Sequence, residues 1–92
     1  MAFVYILQSK KRNRFYVGSC INLIERLKQH SEKVYVGSFT SSADDWELFL
    51  SIDGLEYKQA RIIEMYIKKR KSSIYIKRLK VEPAAIDKLK SM

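Results

Sequence analysis

A glutamate on the apolar face of a helix is the most informative side chain in this sequence. At about 100° per residue, Ala60, Ile63 and Ile67 share one face of a helix expected from about residue 55 or 56 to 70. Glu64 falls on that face, about 40° from Ala60, with Tyr57 beside it. A carboxylate there is costly unless something pairs with it. Contact with water at the edge, a buried pair with Arg26 and a bound metal ion would each meet that cost, and position alone leaves all three open. Arg26 and His30, spaced i, i+4, flank the Leu23/Leu27 stripe of an earlier helix and bring a fixed charge and a titratable ring toward the sheet. Read as ordinary helix residues, they are an arginine covering apolar surface with its stem and a histidine favoured by the helix C-terminus. Tyr5 and Tyr16 fall on two runs expected to pair as strands, where tyrosine commonly packs with its hydroxyl exposed. Cys20 and His30 are the types of a nucleophilic pair, but a lone cysteine at a strand end is first a packing residue. With one Cys and one His in the chain, no internal disulfide, disulfide-linked partner or Cys-based zinc site is expected. There is also no glycine-rich phosphate loop and no HExxH.

The elements that must position these residues follow from the hydrophobic pattern. Phe3–Leu7 reads as a buried strand, Ser9–Arg14 as a solvated loop and Phe15–Gly18 as a second strand, together a hairpin with a longer-than-minimal turn. Asn22 is placed to cap a helix running to about His30, with Glu25 three residues on as in a capping box, and Leu23, Ile24 and Leu27 as its apolar stripe. Ser31–Asp45 is polar and Ser/Thr-rich, a long surface loop with a turn of structure around Val34–Val36. Trp46–Ile52 alternates as a third strand closed by Asp53-Gly54. After the glutamate helix, Ser72-Ser73 offers a new N-cap for a short helix from Ile74 to about Lys80, which Pro83 ends. The order ββαβαα predicts an α/β protein of the α+β type: a small antiparallel sheet covered by helices. The 92 residues make a single domain, with a core over about 2–80 and a helical or frayed tail over 81–92.

Charge narrows the partners. Lys and Arg number 18 against 10 Asp and Glu, a net +8, so the surface attracts polyanions. No apolar run approaches the ~20 residues that span a bilayer, and Ala2–Leu7 is too short for a signal-peptide core. With no lipidation signal either, a membrane partner is disfavoured, nucleic acid leads and a cytoplasmic location is expected. Lys10, Lys11, Arg12 and Arg14 cluster in the hairpin loop. Lys68, Lys69, Arg70 and Lys71 end the glutamate helix, and Lys77, Arg78 and Lys80 follow. Some of these only solubilise the surface; two clusters flanking a phosphate site would contact a DNA backbone.

The ordered set of Tyr5, Tyr16-Val17-Gly18 eleven residues on, Asn22-Leu23, Arg26-Leu27, His30 and Glu64 resembles the GIY-YIG nuclease family. The first signature reads Phe3-Val4-Tyr5 here, without the family's leading Gly. Ser38–Ser41 through Asp45–Leu48 and Gln59–Glu64 with Ile67–Lys69 also resemble its small, single-domain bacterial members, so the likeness covers about residues 2–80. The resemblance implies a three-stranded antiparallel sheet flanked by helices and metal-dependent hydrolysis of DNA, with a place in DNA repair or recombination. It implies Mg²⁺ (or Mn²⁺) held by Glu64 and waters, Arg26 neutralising charge on the phosphate, and Tyr16 or Tyr5, assisted by His30, orienting or deprotonating water. No appended reader of base sequence is visible, so low intrinsic specificity is expected. Many members carry an Asn after the glutamate helix; here the aligned residue is Ile76, with Ser72 and Ser73 the nearest hydroxyls. That departure keeps two alternatives: a non-catalytic nucleic-acid-binding module on the same fold, and more weakly a domain whose basic face meets an acidic protein.

Overall fold

The computed structural model describes residues 1–31 and 46–91, without the side chains of His30 and Ser31. Most of the loop expected over Ser31–Asp45, its turn around 34–36 and the Ser38–Asp45 part of the family likeness lie outside the described residues. The described elements are β1 (Ala2–Ser9), β2 (Arg14–Cys20), α1 (Leu23–Ser31), β3 (Glu47–Leu55), α2 (Tyr57–Arg70), α3 (Ser73–Val81) and α4 (Pro83–Lys90). They form an α+β fold whose antiparallel sheet runs in the order β2-β1-β3.

The central place of β1 explains why its sequence is apolar without alternation. Val4 and Ile6 face one layer, where they pack with Val17, Ala60, Ile63 and Ile67, and with Ile76, Leu79 and Leu89 from the last two helices. Tyr5 and Leu7 face the other, where Cys20, Tyr16, Leu23 and Leu27 gather. Both faces of β1 are therefore buried. The hairpin turns through Lys10–Asn13, with Asn13 left-handed at φ 51 and its N–H donating to Lys10 O at 3.3 Å. Asparagine tolerates that conformation better than most residues. Buried Ser9 accepts from the Arg12 N–H at 3.1 Å.

The expected caps form. Asn22 Oδ1 accepts from the Glu25 N–H at 3.0 Å, and Ser72 Oγ accepts from the Tyr75 N–H at 3.2 Å. Three readings are corrected. Ile24 is 82% exposed, because α1 is a single helix lying on its Leu23/Leu27 side and Ile24 projects past the contact. Asp53-Gly54 do not close β3. Ala2 pairs with Leu55 and Val4 with Ile52, so β3 carries one extra residue there, and Gly54 at φ 68 supplies the left-handed step of a bulge. Pro83 starts a helix as well as ending one: it lies in the first turn of α4, where a missing N–H costs nothing. That helix is anchored by buried Leu89 and by Gln59 Nε2 donating to Lys90 O at 2.7 Å.

Candidate active site at the edge of β2

Tyr5 lies opposite Gly18 in the β1–β2 register, with its ring across the neighbouring strand. A Cβ at position 18 would stand 2.6 Å from both Cζ and Oη of Tyr5. Only glycine admits the ring, which gives the tyrosine and Tyr-Val-Gly signatures their shared physical reason. Tyr16, opposite Leu7, points to the same face, its ring centroid 6.2 Å from that of Tyr5. Half-buried Arg26 reaches this pair from α1 and donates to the Tyr5 hydroxyl oxygen. Burial, reinforced by Tyr16 and opposed by Arg26, pushes the Tyr5 phenol well above the usual phenol range. Tyr5 is thus a fully buried neutral phenol at physiological pH. Cys20 belongs to the same packed cluster, and burial, against the pull of Arg26, raises its thiol. This is the environment of a packing cysteine, not of an activated nucleophile.

Glu64 approaches from the other face of the sheet. It is 9% exposed, on the same buried side of α2 as Ala60, Ile63 and Ile67. Oε1 accepts from Ser19 Oγ at 2.5 Å, and Oε2 meets Lys68 Nζ at 2.6 Å. Burial alone would raise this carboxyl. Hydrogen bonds from Lys68 and Ser19, with the charges of Lys68 and Arg61, outweigh it and hold the group below the usual carboxylate range. Lys68 also stands 6.0 Å from the Tyr16 ring centroid. It links the carboxylate to the tyrosine face around the outer edge of β2. Of the partners that position alone leaves open, the structure shows an ion pair, but with Lys68, one turn along the same helix, while Arg26 lies with Tyr5 on the other face. The i, i+4 spacing of Glu64 and Lys68 was a usable signal. For Ser19 there was none, because its contact depends on how α2 docks on β2.

The same edge opens into a cleft of about 530 Å³ lined by Arg14, Tyr16, Lys68, Lys71, Ser72 and Ile76 among others. Ile76, at the position where the family resemblance leads one to expect Asn, is 7% exposed and forms an apolar wall, and the Ser72 hydroxyl oxygen accepts in the α3 cap. The other basic candidates spread outward. Lys10, Lys11 and Arg12 are exposed on the hairpin turn, and Lys69 and Lys77 are exposed on the helices. Arg70 lies over Tyr75, Arg78 pairs with Glu82 at 2.7 Å and Lys80 sits 4.5 Å from the Phe49 centroid. His30 occupies the last turn of α1, four residues beyond Arg26; its side chain is outside the described residues.

These features define a small α+β domain with an ionised, nearly buried carboxylate beside a basic cleft. The family model described as the GIY-YIG catalytic domain matches residues 1–80, and the chain belongs to that family. The family is one of endonucleases, so a nuclease-type function follows from membership. No solved structure gives a significant match to the chain. Among the described residues no helix is long and apolar enough to cross a membrane.

Proposed function

We propose that this chain is a divalent-metal-dependent endonuclease domain that hydrolyses DNA phosphodiester bonds with low intrinsic sequence specificity, acting in the cytoplasm in DNA repair or recombination. The observation that carries the reading is Glu64, a carboxylate kept ionised by Lys68, which itself lines a cationic cleft, in a chain of a nuclease family.

The donor set suits a hard cation. Ser19 orients Oε1, and the Lys68 side chain, 51% exposed, can leave Oε2 for solvent. One such oxygen suits Mg²⁺ or Mn²⁺, which keep several waters and lean on one or two carboxylates plus substrate phosphates. When bound at Glu64, the ion would stabilise charge on the leaving 3′ oxygen. Tyr16, half-buried at the cleft, orients or deprotonates the attacking water. That task needs a cation nearby, and Lys68 stands beside the ring. Tyr5 works one step back as a positioning residue, its hydroxyl fixing the Arg26 guanidinium that neutralises charge on the phosphate. His30 assists at the water from the end of α1. Arg14, Lys68 and Lys71 hold the phosphates nearest the cleft, and Lys10, Lys11, Arg12, Lys69, Arg70, Lys77 and Arg78 extend the backbone grip without reading bases.

Incubation of the chain with supercoiled plasmid, branched and single-stranded DNA tests this. Cleavage is expected with Mg²⁺ or Mn²⁺, and it should vanish with chelator and in Glu64→Gln. Tight binding with no cleavage of any substrate under either metal would favour the second reading, a non-catalytic binding module. The apolar Ile76 wall supports that reading.

A further inference from the structure

A second basic cleft, of about 700 Å³, lies between α2, α3 and α4. Its α2 residues, Tyr66 and Arg70, project about 200° around the helix from Glu64 and Lys68, so it does not belong to the site at the edge of β2. Tyr66 and Tyr75 meet edge to face with centroids 6.3 Å apart. The Arg70 guanidinium carbon lies 4.2 Å from the Tyr75 centroid and 5.8 Å from that of Tyr66, and Nη1 donates to the Tyr66 hydroxyl at 3.3 Å. Lys88 adds positive charge, and Glu82, the acidic side chain lining the cleft, is neutralised by its pair with Arg78.

We infer that this cleft is a stacking platform for unpaired bases of a DNA strand. The proposal rests on the nuclease reading for its polymer and adds a substrate class: DNA with a single-stranded segment. A guanidinium laid on a ring is held flat, and exposed Arg70 offers its outer face to a second planar π-system. Tyr66, 37% exposed, offers a ring beside it. A nucleobase has the flat face this arrangement takes, but only when unpaired and unstacked from its neighbours, since a duplex keeps its faces inside. The cations around the platform suit the phosphates that accompany the base, and an acidic peptide would satisfy them without using the rings.

The test uses the full chain carrying Glu64→Gln, in chelator, so that no strand is cut. Anisotropy titrations compare a labelled single strand containing 2-aminopurine, an abasic strand of equal length and a duplex. Tyr66→Leu is expected to weaken the base-bearing strand about five- to tenfold, the lower range for one stacked base, and to leave the abasic strand and the duplex within about twofold. It should also remove the quenching of 2-aminopurine that stacking produces. Arg70→Lys, which keeps the charge and loses the plane, should cost more on the base-bearing than on the abasic strand; as a surface change it keeps the test decisive if Tyr66→Leu folds poorly. Equal losses on both strands, no loss in either variant, or competition by polyglutamate as strong as by single-stranded DNA would overturn the platform. Failure of the Glu64→Gln chain to bind any of the three polymers would overturn the nucleic-acid reading as well, so the two failures are distinct.

Discussion

At Glu64 two opposing effects meet, and their balance sets a pH signature. Burial favours the neutral acid, while Ser19 and Lys68 favour the anion and win, so the folded-state pKa lies below the unfolded one. A depressed carboxyl contributes stability above its unfolded pKa and loses it as the pH falls through the folded value. Glu64→Gln should therefore cost about 1–2 kcal/mol at neutral pH, the worth of charge-assisted hydrogen bonds with one half-exposed partner. The gap should start to narrow as the pH drops below about 4, near the free-glutamate value, and close only below the lower folded value. Urea melts of both proteins across a pH series from 7 downward in chelator measure this, and a gap that does not narrow at all on acidification would mean steric damage. DNA binding should be intact or slightly tighter, because one anion near the phosphates is gone. Gly18→Ala acts by contact alone. Its Cβ would meet the Tyr5 ring at 2.6 Å, the ring has no room inside a packed cluster, and overpacking of this kind costs about 1–3 kcal/mol. The shifted hydroxyl would also release Arg26, so single-turnover cleavage should fall further than DNA affinity. The place of Glu64 on the buried face of α2 was legible from helical arithmetic. The reason Tyr5 needs Gly18 was not, because it lies in cross-strand register.

Among the elements, what was legible was local. The hairpin runs, the Asn22 and Ser72 caps and the buried stripe of α2 each depend on residues within a few positions of one another, and all are found. The misread features depend on distant partners. Ile24 looks apolar and stripe-forming, but where α1 lies on the Tyr5 cluster decides its exposure. Gly54 reads as a strand end, but pairing with Ala2 carries β3 past it. Ile24→Gln should accordingly change stability by no more than about 0.5 kcal/mol, whereas Leu27→Ala, within the cluster, should cost measurably more in the same melts. The end of α2 offers a sharper case. Lys71 holds φ 48, a left-handed conformation that favours glycine, and its N–H donates to Lys68 O at 3.3 Å. Lys71→Gly removes roughly 1 kcal/mol of backbone strain and adds chain entropy to the unfolded state, leaving a net gain of at most about half a kcal/mol. It also removes a cation from the Tyr16 cleft, so DNA affinity should fall while the melting temperature rises. Opposite signs in the two measurements would show that lysine is kept there for charge at the expense of stability.

Across the whole molecule, a net charge of +8 on 92 residues governs encounter with DNA, but the fold decides which charges count. Arg14, Lys68 and Lys71 line the cleft beside Tyr16, whereas Lys10, Lys11 and Arg12 stand on the hairpin turn past the end of β1. Each phosphate contact that displaces a counterion adds about 0.9 to the slope of log affinity against log salt. If the duplex runs from the cleft along β2 to the turn, neutralising Lys10, Lys11 and Arg12 together should flatten that slope by about two to three, and neutralising Arg14 and Lys71 by about two. The two effects should add, because the groups contact different phosphates. They should part company in catalysis. The turn residues hold distant backbone in ground state and transition state alike, so their loss should weaken binding and leave the single-turnover rate at saturating protein unchanged. The cleft residues face the phosphate nearest Glu64 and Lys68, so their loss should lower that rate too. A slope unaffected by the turn substitutions, with the cleft pair still contributing, would send the DNA across α2 and α3 instead of along the hairpin.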